Sequence, residues 1–290
     1  MYLIIILPIL CIIGIFIYTW YEFHSKLNLH IDLKSPKLNK NLTVIKKFLK
    51  TRDGLKIASW YIPVTNPKAV IILIDGYKEQ EQDKVRIFDH AEYLQKAGYS
   101  CILIDLRSFG ESQKDKVTFG VSEWKEVQAA YDYLKTLPEN KNKKIGFLGI
   151  SMGAVISIIT KGITGKGDFI IAVAPYANFK SLFDFRLRKK RLPSLLFLPV
   201  LQVLAIFELG FNYEYYTATN MVGKVDVPIF IASAKHDKIV NPHDAKYVYD
   251  KANTPKEYWQ ANTSHGIFKD NPEEFKKIVL NFLSKYIERS

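Results

Sequence analysis

Lys143-Lys144-Ile145-Gly146-Phe147-Leu148-Gly149-Ile150-Ser151-Met152-Gly153-Ala154 is the stretch that decides the fold of this 290-residue chain. Residues 143–149 end in an apolar run, the pattern of a strand buried on both faces. Residues 152–163 have helical spacing. Between them lies Gly149-x-Ser151-x-Gly153, a strand-to-helix turn so tight that flanking side chains would clash, hence the two glycines. The turn lifts the Ser151 hydroxyl to the C-terminal edge of the strand, where the first amides of the following helix point. A glycine-rich turn with an inert serine is the plainer reading of these residues. The strand before and the helix after favour the reactive one.

Outward from this turn, strands and helices alternate. AVIILID (69–75), SCILIDL (100–106), FIIAVAP (169–175), VPIFIAS (227–233) and KEYWQA (256–261) read as strands. Helical spacing covers 84–97, 121–137, 243–252 and 272–286. Segments 42–50 and 55–64 flank Thr51-Arg52-Asp53-Gly54 and read as an antiparallel hairpin. Alternation with short connections implies an α/β architecture, a mostly parallel sheet with helices on both faces. Residues 176–224 break the rhythm. They hold the basic run Arg186, Arg188, Lys189, Lys190, Arg191 and then the uncharged LPSLLFLPVLQVLAIF (192–207). Sixteen residues with Pro193 and Pro199 are short for a membrane span and are expected to form a helical cap.

The N-terminus differs from the rest. Residues 1–21 carry no charge, and the first charged side chain is Glu22. As a helix they would reach about 31 Å, near the ~30 Å apolar core of a bilayer. There is no basic n-region and no small-residue cleavage pattern, and Tyr18, Trp20 and Tyr21 cluster at the end. An uncleaved transmembrane anchor over 1–21 is expected, followed by a linker over 22–41 and one domain over 42–290. The flank Lys26 to Arg52 is rich in lysine, which places the domain in the cytoplasm by the positive-inside rule. Hydrophobic residues are 48% and charged residues 24%, which excludes a disordered chain. Two cysteines, Cys11 and Cys101, exclude a disulfide framework and a cysteine-based zinc site. The formal charge of +12 is dispersed and accompanies no binding motif, so no nucleic-acid partner is expected.

A serine hydroxyl needs a general base, itself oriented by a carboxylate. Of six histidines, His236, His243 and His265 follow Ser151. His265 comes just after the last strand and is the best base. Asp237, just after strand 227–233, is the best acid. Asp226 lies at the wrong end of that strand, and Asp244 reads as a first-turn helix acid. Two backbone amides should receive an oxyanion. Met152, after the serine, is one. Tyr77, in the loop after strand 69–75, is the other.

From about residue 42 onward the chain resembles the α/β-hydrolase superfamily, and within it the membrane-anchored Bem46-like, or α/β-hydrolase domain-containing, serine hydrolases and their bacterial relatives. The matching pieces are Gly149-Ile150-Ser151-Met152-Gly153-Ala154, Asp105-Leu106-Arg107-Ser108-Phe109-Gly110-Glu111-Ser112, His236-Asp237 with Val240 and Pro242, and His265-Gly266. The resemblance implies Ser151 as nucleophile, Asp237 as acid and His265 as base, ester or thioester substrates, and no metal or cofactor. It also implies that the Asp105–Ser112 loop is structural. Relatives usually have His-Gly where this chain has Asp75-Gly76, which sets a carboxylate close to the expected oxyanion.

The expected activity is therefore hydrolysis of a small-molecule carboxylic ester or other acyl substrate at a membrane bilayer. Cleavage of short peptides is the nearest alternative. A low-turnover membrane-bound binding protein of the same fold is the other, and Asp75 is its only support.

Overall fold

The computed structural model describes residues 2–31, 42–77 and 85–288. Eight strands form one sheet: β1 (Ile45–Lys50), β2 (Lys56–Ile62), β3 (Val70–Ile74), β4 (Ser100–Ile104), β5 (Ile145–Ile150), β6 (Ile170–Val173), β7 (Ile229–Ala234) and β8 (Lys256–Ala261). Their order is β1-β2-β4-β3-β5-β6-β7-β8. β1 and β2 form the expected antiparallel hairpin, β2 also runs antiparallel to β4, and every other pairing is parallel.

Ten helices accompany the sheet among the described residues: α1 (Tyr2–Leu27), α2 (Val85–Lys96), α3 (Trp124–Thr136), α4 (Met152–Thr164), α5 (Phe179–Lys189), α6 (Ser194–Leu209), α7 (Ala218–Met221), α8 (Pro242–Lys251), α9 (Ile267–Asp270) and α10 (Pro272–Leu283). The unbroken apolar runs are explained by burial on two sides. In β3, Val70, Ile72 and Ile74 face one core, with α3, α4, α8 and the cap. Ile71 and Leu73 face the other, with α2 and α10. The side-chain period of two divides each strand between the layers.

The Asp105–Ser112 loop is structural, as the resemblance implied. Arg107 is buried and donates to Glu126 of α3 (2.5 Å), to Asp115 (3.0 Å) and to Asp53 in the hairpin turn (3.1 Å). Burial pushes the Glu126 carboxyl up to about 8, against the pull of the Arg107 guanidinium. Asp105 accepts from the Glu111 amide at 3.0 Å, and the Ser112 hydroxyl donates to the Asp105 carbonyl at 2.6 Å. These bonds tie the hairpin and α3 to the floor beside β4.

The expected cap over 176–224 is helical. Its aliphatic run forms α6, with Pro199 inside the helix. Phe197, Leu201, Leu204 and Ala205 are buried, whereas Leu195, Leu196, Val203 and Phe207 are exposed.

The N-terminal expectation is modified. Among the described residues no helix is long and apolar enough to cross a membrane. α1 does not stop at residue 21 but continues to Leu27, through the first part of the expected linker. The linker beyond residue 31 lies outside the described residues. Thr19, Phe23 and Leu27 are buried against the domain. Phe23 packs edge-on against Phe179 and Phe183 of α5, with ring centroids 5.6 and 5.8 Å apart. Tyr18 meets Phe197 of α6. The end of the apolar segment is therefore claimed by protein.

Candidate active site

The parallel sheet brings the C-terminal ends of β3, β5, β7 and β8 to one edge, and each carries one predicted piece of the site. Ser151 directly follows β5 and is the residue before α4. Its backbone has φ 54° and ψ −114°, a left-handed conformation costing a non-glycine residue about 1–3 kcal/mol. The geometry explains the flanking glycines. A Cβ on Gly149 would lie 2.2 Å from the Gly153 carbonyl oxygen, and one on Gly153 would lie 2.2 Å from that of Ile74. α4 thus approaches the strands more closely than any side chain allows. The Ser151 amide donates to the Val173 carbonyl at 2.7 Å, which anchors the turn to β6.

β3 is registered beside β5, Ile74 against Gly149, so the loop after β3 runs next to the serine. A Cβ on Gly76 would lie 3.2 Å from the Ser151 Cβ. The Asp75 carboxylate accepts from the Gly76 amide at 3.0 Å. The next amide along is that of Tyr77, the predicted donor. Met152, the other predicted donor, is the first residue of α4, where helical geometry supplies no intrahelical acceptor for its N–H.

On the other side of β5, His265 and Asp237 meet although 28 residues separate them. Nδ1 of His265 lies 2.6 Å from Oδ2 of Asp237. Oδ1 of Asp237 accepts from the amides of Ile239 and Val240, at 2.8 and 2.9 Å. Asp237 is therefore buried with both oxygens occupied and aimed, while His265 keeps 17% side-chain exposure and its Nε2 for another partner. No hydrogen bond to the Ser151 hydroxyl forms among the described residues; in unliganded sites this contact commonly tightens only with substrate.

The other candidates fall elsewhere. His236 meets Asn262 at 3.0 Å on the surface. His243 is exposed at the start of α8. His90 is buried among Tyr93, Phe268 and Phe275, and burial lowers it to about 3. Asp226 is exposed and pairs with Lys161. Asp244 is more than a first-turn helix acid: buried, it accepts from the Ala177 amide (3.0 Å) and the Ser181 hydroxyl (2.7 Å), tying α8 to the root of the cap. Burial raises its pKa against these two bonds. Among the described residues no group of three or more His, Cys, Asp or Glu could hold a metal ion.

Sequence reasoning missed the side chain of Tyr77. Its hydroxyl donates to the Lys26 carbonyl of α1 at 3.0 Å. Its ring stacks on Phe119 at 5.3 Å and meets Phe109 edge-on. The loop beside the serine is thereby fastened to the N-terminal helix, across 51 positions of chain.

A family model described as serine aminopeptidase, S33, matches residues 65–204. A polyketide transferase of Stachybotrys chlorohalonatus is 22% identical, over 82% of this chain and 96% of that protein. A carboxylesterase of Bacillus subtilis is 24% identical, over 74% of this chain and 92% of that one. Among solved structures, an esterase of Pyrococcus furiosus shares the fold with a TM-score of 0.71 at 21% identity, over 89% of this chain and 99% of its own. A hydrolase-type model thus matches the middle of the chain, and over most of its length the chain has the α/β-hydrolase fold and is similar to esterases and other hydrolases of that fold.

Proposed function

We propose that the protein cleaves carboxylic esters through a Ser151–His265–Asp237 triad and an acyl-enzyme. The observation that carries this reading is the 2.6 Å contact between His265 and a doubly anchored Asp237, on the same sheet edge as the strained Ser151. Ser151 Oγ attacks the acyl carbonyl and its proton passes to His265 Nε2. Asp237 holds the other ring nitrogen protonated and stabilises the imidazolium. The amides of Met152 and Tyr77 receive the oxyanion. His265 returns the proton to the leaving alcohol. Water, deprotonated by His265, then releases the carboxylic acid and restores Ser151. A fluorophosphonate probe is expected to label the wild type and not Ser151→Ala; equal labelling of that variant would contradict the assignment.

Peptide cleavage is the second reading, favoured by the description of the family model that matches residues 65–204. Aminoacyl-naphthylamides assayed beside p-nitrophenyl esters separate the two by which set shows Ser151-dependent turnover.

Membrane attachment through α1 belongs to the same proposal. Leu10, Ile12, Ile13, Phe16 and Ile17 of α1 are exposed, as are Leu195, Leu196, Phe207 and Phe211 of the cap. Apolar surface on this scale calls for an apolar partner, here the bilayer. The basic flank after α1 puts the domain on the cytoplasmic side. In intact cells an external protease should leave the domain uncut; digestion without lysis would reverse the orientation.

A further inference from the structure

Beside the proposed catalytic edge lies a cavity of about 550 Å³, bounded by α1, α5, α6, Tyr77 and the Lys238-Ile239 segment next to Asp237. Its walls are of two kinds. Phe23, Phe183, Phe197 and Leu201 supply an apolar interior. Arg186, Lys189, Lys190 and Lys238 supply four cations. The one carboxylate in the lining, Glu22, is taken by Lys190 at 2.7 Å. Among the described residues no carboxylate pairs with Arg186, Lys189 or Lys238. The nearby Asp184 is engaged by Arg188, which is not in the lining.

A cavity with aromatic and aliphatic walls and an excess of cations suits a ligand with an apolar chain and an anionic group. A neutral ester would leave the cationic excess uncompensated, and a small anion would leave the apolar walls wet. We infer that this cavity binds an anionic amphiphile, a single acyl chain bearing a phosphate or similar anionic headgroup, and that α1 is a structural wall of the binding site. As the substrate class of the proposed ester hydrolysis, this rests on that reading. The headgroup meets Arg186, Lys189 and Lys238, the chain lies along Phe23, Phe183 and Phe197, and the acyl carbonyl reaches Ser151 past Tyr77. Charge-assisted hydrogen bonds are roughly twice as strong as neutral ones, so discrimination of about tenfold or more is expected.

The test uses the full chain in phosphatidylcholine nanodiscs, with binding of decyl phosphate, decanol and inorganic phosphate measured by calorimetry. Decyl phosphate should bind at least about tenfold more tightly than either of the others, and the double variant Arg186→Gln, Lys189→Gln should reduce that advantage to about twofold or less. Equal binding of decanol, or an advantage that survives the double variant, overturns the cationic recognition. Equal binding of inorganic phosphate makes the site one for a free anion and overturns the amphiphile. Turnover of 1-decanoylglycerol 3-phosphate against 1-decanoylglycerol should show the same preference in KM. Fluorophosphonate labelling of Ser151 is scored separately. Binding preference without labelling retains the cavity and sinks the esterase reading; labelling without preference sinks the cavity alone.

Discussion

Asp237→Asn is expected to lower ester turnover by on the order of 10⁴-fold while the domain stays folded. Asp237 uses its two oxygens differently. Oδ1 holds the amides of Ile239 and Val240, and Oδ2 faces Nδ1 of His265. In asparagine the amide oxygen can keep the two backbone bonds, so the loop remains in place. The NH₂ group then points at Nδ1 and donates, which forces the ring proton onto Nε2. That nitrogen must be unprotonated to accept the Ser151 proton, so the base is present in the wrong tautomer. Steady-state kinetics beside circular dichroism checks this. Retained turnover would remove Asp237 from the mechanism, and an unfolded variant would make its role that of a loop anchor.

Gly153→Ala is expected to damage both stability and activity. The new Cβ would sit 2.2 Å from the Ile74 carbonyl oxygen and 2.6 Å from that of Asp75. Both are backbone atoms of β3 and its loop, which cannot swing aside as a side chain would. α4 must therefore back away from the sheet. Overpacking of this kind costs about 1–3 kcal/mol, which is roughly 2–10 °C in Tm for a domain of this size. The same movement carries the Met152 amide and Ser151 off their positions, and a displacement of about 1 Å in a catalytic group can cost ~10²-fold in rate. Gly223→Ala is the control, since the nearest atom to its Cβ would be 4.0 Å away. Thermal melts and ester kinetics of the two variants should diverge; a Gly153→Ala enzyme matching the control would show that close packing at the turn is dispensable.

Much of the fold was legible because its signals are local. An apolar run such as Val70–Ile74 or Ile145–Ile150 has to be buried on both faces, and a sheet covered on both faces is the structure that does so. The glycines of the turn report a packing distance of neighbouring backbone, so Ser151 stands out without any coordinates. Asp237 and His265, the proposed acid and base, stand out by their places just after two strands, since parallel strands deliver their ends to one edge, and the two side chains do meet there. The Asp105–Ser112 loop was recognised by resemblance, and only coordinates showed its reason, a buried Arg107 joining three acidic groups.

By itself, then, the sequence determined the α/β architecture, the serine turn and the positions of the proposed acid and base after β7 and β8, because each rests on short-range periodicity or on the order of elements along the chain. The tertiary structure decided what depends on surfaces meeting from distant positions. It alone shows α1 continuing to Leu27 and burying Phe23 under the cap, Tyr77 bonded to the Lys26 carbonyl, and Asp244 bracing the cap root. Apolar residues read the same whether lipid or protein will cover them. Only the packing of α1 on α5 and α6 assigns its last turns to the wall of a cavity.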